Sequence, residues 1–391
     1  MDPIPRWIEI IVSRWSLPSF RKLPEKEKAR MIQDRHLHSS SAPAEVFGSV
    51  MGELVEAGEI EIWKTGEVVS PVRAKIGLSS FVDEHGGMAA GHGKIILFGE
   101  HAVGYGSRAI ASPIPLAVRA RVLGEDDGVW LAYPRWGVEQ RMQKDSTRLT
   151  SFEAPAALIL GELGLADRSM RIEVFSEIPR SMGLGGSAAV AVAIIRALDR
   201  HFEVGLSDDA VNALAYQCEC IAHGTPSGID NTVATFGQPL VYQKGASPSF
   251  QPLHLTQPIA MIVGMTGVEG STAEMVARVR EGRRRNRTFY DSVIQEIDSI
   301  TVQALEALDS NDLVLIGELM NTNHGFLRRI GVSSREIEEL IRIALRHGAC
   351  GAKLTGGGGG GSMIALFPDG GNGVVEAMRD AGYQAMEVRI G

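Results

Sequence analysis

Apolar and polar positions along this chain follow two periods, and the two alternate from about residue 88 to the end. Residues 94–99 form a short apolar run that predicts a buried strand, and residues 109–123 contain a second. Over 170–174 the pattern alternates strictly. Met170, Ile172 and Val174 share one face, and Arg171 and Glu173 share the other. Phe175 breaks that alternation, and the strand should end before Pro179. Residues 185–202 read as a strongly apolar helix that begins in a glycine-rich segment. Ser207-Asp208-Asp209 predicts a capped helix running to about Ala222. Residues 258–264 read as a strand, and Ser271 caps the helix that follows. Two or three further helices fill 287–347. The chain closes as strand, strand, helix, strand over 352–355, 362–367, 374–381 and 385–390. Strands and helices are thus mixed from about 88 onward, and no internal repeat is visible.

Residues 1–87 stand apart. Pro24 opens a helical pattern over 24–32, a second helix is predicted over 46–57, and 59–63 alternates like a strand. Trp7, Trp15 and Trp63 are at odds with a disordered composition. This segment is expected to be an extension that packs on the main body or mediates self-association and supplies no catalytic group. Self-association into a homodimer stays open.

The 391 residues exceed what one core usually serves, so more than one domain is expected. The net charge of −8 argues against a nucleic-acid or anionic-membrane partner, since either would call for a basic face. Arg278 to Arg285 holds five arginines, which a helical pattern places at a solvated helix end. Cys218, Cys220 and Cys350 have no framework spacing, which suggests reduced thiols and a cytoplasmic setting. No apolar run is long enough to span a membrane, and Asp2 and Glu9 sit where an export signal would be basic and then apolar.

Candidate chemistry lies in four segments. In Ser181-Met182-Gly183-Leu184-Gly185-Gly186-Ser187, the glycines would let backbone amides approach a polyphosphate, and the helix that follows would aim its positive end there. A strand-to-helix turn whose glycines serve only packing would read the same way. Ser187 could equally be a helix cap. Lys94 begins a buried run, where an unpaired lysine is costly, so it should face a carboxylate or phosphate. Thr225-Pro226-Ser227-Gly228-Ile229-Asp230 predicts a rigid turn presenting a carboxylate, although Asp-Asn pairs also serve only as turn residues. Glu219 sits on an apolar helix, where an isolated glutamate is ordinarily solvated. Lys353 and Thr355 precede six glycines, 356–361. Strand-like flanks on both sides argue against a loose linker.

These segments, in this order, resemble the signature motifs of the GHMP small-molecule kinases, and within that superfamily the mevalonate kinases. The resemblance covers about 88–391. It implies an α+β, two-domain GHMP kinase fold with an extra N-terminal segment. One domain, at 88–255, would be like domain 2 of ribosomal protein S5 and bind ATP, and the other, at 256–391, would be ferredoxin-like. It further implies ATP and Mg2+ as cofactors, mevalonate as substrate, and a place in isoprenoid biosynthesis. Residue by residue, it makes Asp230 the general base and Lys94 its electrostatic partner. Ser187 and Glu219 become metal ligands, Ser181 to Ser187 the nucleotide loop, and Glu100 and His101 the lining of the substrate pocket. Three positions depart from the family pattern. Gly186 stands where a serine is common, His92 where proline is usual, and Met265 where Asp-Thr-Gly would begin. Two other readings stay open: a GHMP kinase acting on another small alcohol, and a ligand-sensing relative without catalysis.

Overall fold

The computed structural model describes residues 88–142, 153–245, 248–368, 370–371 and 373–391, together with the pairs 61–62 and 68–69. The helices expected over 24–32 and 46–57 lie outside the described residues. Of the strand expected over 59–63, β1 (Glu61–Ile62) is described, and it pairs antiparallel with β2 (Val68–Val69).

The chain falls into two compact units. The first comprises 1–77 and 130–140. Its described part holds β1, β2, nearly all of β5 (Val129–Tyr133) and β6 (Val138–Arg141), and between these two a 3-10 turn, Pro134–Trp136, in which Trp136 stacks on Tyr133 with ring centroids 5.2 Å apart. The second unit comprises 78–129 and 141–391. In chain order the strands after β2 up to the first helix are β3 (Ala89–Phe98), β4 (Arg108–Gly124), β5 (Val129–Tyr133) and β6 (Val138–Arg141). They are followed by α1 (Glu153–Glu162), β7 (Met170–Ser176), α2 (Gly186–Phe202), α3 (Asp208–His223), α4 (Ile229–Phe236), β8 (Leu240–Gln243) and β9 (Ser249–Pro252). The last part runs β10 (Ile259–Met265), α5 (Thr272–Arg285), α6 (Arg287–Asp309), α7 (Leu313–Arg329), α8 (Arg335–Arg346), β11 (Gly351–Thr355), β12 (Ser362–Leu366), α9 (Val374–Asp380) and β13 (Gln384–Ile390).

Within the second unit, the long strand β4 organises the first sheet. It pairs antiparallel with β3 along most of its length, with β7 over Val118–Gly124 and with β8 over Arg108–Ala111. Ile95, Ile96, Leu97 and Phe98 are all buried, which explains why β3 reads as a continuous apolar run and not as an alternating one. Helix α2 lies directly on β3. A Cβ on Gly91 would meet the Ala189 carbonyl oxygen at 2.2 Å, so only glycine admits the helix this close. On β7 the expected alternation holds for the apolar face, but Glu173 is buried as well. Arg121 and Arg171 make this tolerable, bonding its carboxylate at 2.8 and 3.0 Å.

The second sheet is wholly antiparallel, in the order β11-β12-β10-β13. One core joins it to helices α5 to α9. Val279, Ile297, Leu327, Leu340 and Met378 pack with Ile262, Leu354 and Met363. The caps expected from sequence are present: Ser207 accepts from Ala210 N–H and Ser271 from Glu274 N–H, each at 3.2 Å. The arginine-rich end of α5 is solvated and paired, Arg285 with Glu281 and Arg283 with Asp291. Among the described residues, no helix is long and apolar enough to cross a membrane.

Candidate active site

Three glycine-containing segments far apart in sequence, 93–103, 181–187 and 356–361, meet in the second unit. The first is joined to the third by Thr355. Its hydroxyl accepts from Ile96 N–H at 2.8 Å and donates to Ile96 C=O at 3.0 Å. The second is joined to the third by Ser362, whose hydroxyl donates to the Met182 carbonyl at 2.7 Å. The run 356–361 is held by its own backbone bonds, Gly359 N–H to Val332 and Gly361 N–H to Val268. Five of its six glycines have positive φ, a conformation that explains the composition better than a linker does.

Lys94 occupies the junction. Its backbone N–H donates to Leu184 C=O at 2.9 Å, and its ammonium donates to Gly183 C=O at 3.0 Å. The same ammonium lies 3.2 Å from Asp230 Oδ1. Lys94 is buried, whereas a third of the Asp230 side chain remains exposed, so the pair has one solvent-facing side. Gly185, in the left-handed region at φ 77°, caps α2. A Cβ there would press on the Lys94 side chain at 2.9 Å. The carboxylate partner expected for Lys94 is therefore Asp230.

Asp230 sits in the first turn of helix α4 and not in a turn, which corrects the reading from sequence. Gly228, at φ 97°, ends the preceding turn and begins an eight-residue helix whose Ile229 and Val233 are buried. The turn-forming residues 225–228 are real, but they lead into a helix too short to announce itself by periodicity.

Ser187 lies in the first turn of α2, and Glu219 faces it from α3. The Glu219 side chain is only 3% exposed. Burial and the nearby Asp230 charge push its carboxyl up to about 7. A hydrogen bond from Ser187 and the charge of Lys94 oppose the shift. A buried carboxylate and a hydroxyl are hard oxygen ligands, and this one is short of positive charge. That set fits Mg2+, which is commonly held by one or two protein oxygens and shared with nucleotide phosphates. Among the described residues, no three His, Cys, Asp or Glu side chains gather into a fuller cage. Ser187 is in the first turn of α2, and a helix start leaves its first N–H groups without intrahelical partners.

A cleft of about 530 Å³ opens onto Lys94, Glu219 and Asp230, whereas Ser187 is not among the residues that line it. Lys94, Glu100, His101, Gly183, Glu219, Asp230 and Gly356 all line it. Glu100 is fully buried, in an ion pair with the buried Lys353, and Asn323 donates to its other oxygen at 3.3 Å. Burial pulls the Lys353 ammonium down, and Glu100 opposes this. His101 is held at positive φ, with Nε2 2.9 Å from Gly357 C=O. A carbonyl only accepts, so Nε2 carries the proton. Burial also lowers the His101 pKa, which keeps the ring neutral. In the segment 181–187, the side chains of Met182 and Leu184 are buried, while Ser181 is exposed at positive φ.

Among the lining residues not singled out as site residues from sequence are His223, Lys244, Thr272 and Arg280. His223 carried a readable signal, because it lies four residues after Glu219 on the same helix. Lys244 carried none, since an isolated cation near a loop is ordinary surface composition, and Arg280 was read with the rest of Arg278 to Arg285 as a solvated helix end.

Comparison with known proteins agrees with this architecture. Residues 152–238 match the family described as GHMP kinases N terminal domain, and residues 304–384 match GHMP kinases C terminal. The mevalonate kinase of Pyrococcus horikoshii is 36% identical, over 78% of this chain and 95% of its own. That of Archaeoglobus fulgidus is 36% identical, over 72% and 92%. Among solved structures, L. major mevalonate kinase in complex with R-mevalonate superposes with a TM-score of 0.68 at 29% identity, covering 82% of this chain and 98% of that one. Methanococcus jannaschii mevalonate kinase has the same TM-score at 25% identity, with 78% and 98% covered. The chain therefore has the α+β GHMP kinase fold and belongs to the mevalonate kinases of the GHMP kinase superfamily.

Proposed function

We propose that the protein transfers the γ-phosphoryl group of ATP to the 5-hydroxyl of mevalonate. The observation that carries this reading is the Lys94–Asp230 pair, 3.2 Å apart, in a cleft that Gly183, Gly356 and Gly357 also line. Phosphoryl transfer asks little covalent chemistry of a protein; it needs positioning and charge neutralisation. Asp230 is the only acidic side chain bonded to Lys94 among the described residues, and its exposed side faces the cleft. In this reading it takes the proton of the substrate hydroxyl, and Lys94 stabilises the oxygen that becomes negative.

Amides at the start of α2, within the segment Ser181 to Ser187, would hold the polyphosphate. Ser187 and Glu219 would hold Mg2+. When bound, the metal supplies charge neutralisation at the phosphoryl oxygens. His101, with its proton on Nε2, offers Nδ1 as an acceptor to a substrate hydroxyl. Glu100, engaged by Lys353, shapes the pocket through that ion pair. Lys244 and Arg280 bring positive charge to the same cleft, which suits a carboxylate-bearing alcohol better than a neutral sugar.

An assay coupling ADP formation to NADH oxidation tests the assignment. ATP and mevalonate should turn over, while galactose and phosphomevalonate should give little signal. Preference for either of the latter would overturn the substrate assignment. The metal assignment has its own test. Ser187→Ala and Glu219→Gln are each expected to shift the Mg2+ titration of activity to higher concentration, by about tenfold or more for loss of a hard oxygen ligand. An unchanged titration in Glu219→Gln would remove Glu219 from the metal site.

A further inference from the structure

His223 is the last residue of α3, four positions beyond Glu219 and therefore on the same helical face. Its Nε2 lies 3.2 Å from Ser187 Oγ and 3.7 Å from Glu219 Oε2. Ser187 is also near enough to Glu219 to hold down the pKa of its carboxyl. His223 Nε2 and Ser187 Oγ are within hydrogen-bond distance, and the imidazole tautomer sets which of them donates. The imidazole is 37% exposed and lines the cleft, whereas Glu219 is enclosed. His223 thus covers the solvent side of the serine–glutamate pair.

A histidine at a helix C-terminus can serve the helix alone, through the dipole and an i,i+4 contact. That role accounts for the contact with Glu219. It does not account for the contact with Ser187, which belongs to another helix, or for the position in the cleft.

We infer that His223 is a positioning residue of the metal and nucleotide site, orienting the Ser187 hydroxyl and tying the start of α2 to the end of α3. This rests on the reading of Ser187 and Glu219 as metal ligands. Mg2+ demands near-ideal octahedral geometry, so the spacing and direction of two protein oxygens matter to its affinity. A hydroxyl is a free rotor unless a partner fixes it, and outer partners of metal ligands commonly account for 10- to 100-fold in affinity.

The test is calorimetric binding of the non-hydrolysable ATP analogue AMP-PNP to the full chain, once with Mg2+ and once with EDTA. His223→Ala is expected to weaken Mg2+-dependent binding by about tenfold or more, with metal-free binding changed by less than about twofold. His223→Gln, whose amide nitrogen reaches about as far as Nε2, should restore most of the loss. His223→Asn, which is too short to reach Ser187, should behave like alanine and replaces it if the alanine variant does not fold. Wild-type affinity in the alanine variant overturns the inference. So does an equal loss with and without metal, which a merely structural role would produce. Ser187→Ala and Glu219→Gln are measured alongside. If they lose Mg2+-dependent binding and His223→Ala does not, only this inference fails. If none of the three loses it, the metal-site reading fails as well.

Discussion

Asp230→Asn should leave the protein folded and nucleotide-bound but nearly inactive. Asparagine has the same shape and keeps an oxygen that can accept from Lys94, so the junction of β3 with the second glycine segment is preserved. What it loses is the ability to take a proton. General acid–base groups contribute about 10²- to 10⁴-fold, so turnover is expected to fall by at least ~10². AMP-PNP affinity and thermal midpoint should stay close to wild type. Near-normal turnover would remove Asp230 from the mechanism. A large loss of nucleotide affinity would assign it to binding instead.

The second large effect concerns stability. Lys353 and Glu100 are both fully buried and face one another, with Asn323 and the Leu354 carbonyl completing their bonds. Removing one partner of such a pair strands a charge in the core, which commonly costs about 3–5 kcal/mol. Lys353→Met is therefore expected to destabilise the protein by about that amount in urea denaturation. Adding Glu100→Gln removes the stranded carboxylate. The double variant should recover a large part of the loss, because a buried pair replaced on both sides is often close to neutral. If the double variant is as unstable as the sum of the two single ones, the pair is not coupled and the account of Glu100 fails. Activity need not recover with stability. Glu100 directly precedes His101, whose ring is bonded to Gly357, so the pair also sets where the first glycine segment meets the third.

The strands and helices legible from sequence were those with long or strict periodicity, among them 170–174, the helix from 185 and the capped helix after Ser207. In each the period and the cap point to one structure. The segment around Asp230 was read as a turn because four turn-forming residues precede a helix of only eight residues. The hairpin of β8 and β9 was not foreseen. Strands of four residues carry too few positions for alternation to show, and β9 is largely exposed. The site was legible through glycines, whose need comes from backbone geometry, and through Lys94, whose burial demanded a partner. The ion pair of Glu100 and Lys353 was not, because it joins residues 253 positions apart. Each alone resembles an ordinary charge. His223 was legible only in its four-residue spacing from Glu219, while its contact with Ser187 crosses to another helix.

The central claim is that this cleft phosphorylates the 5-hydroxyl of mevalonate, and the 31P spectrum of a completed reaction tests it most directly. With ATP, Mg2+ and mevalonate, the account predicts ADP together with a phosphate monoester whose phosphorus couples to the two protons on C5. Inorganic phosphate in place of that ester, or an ester on another carbon, would contradict it.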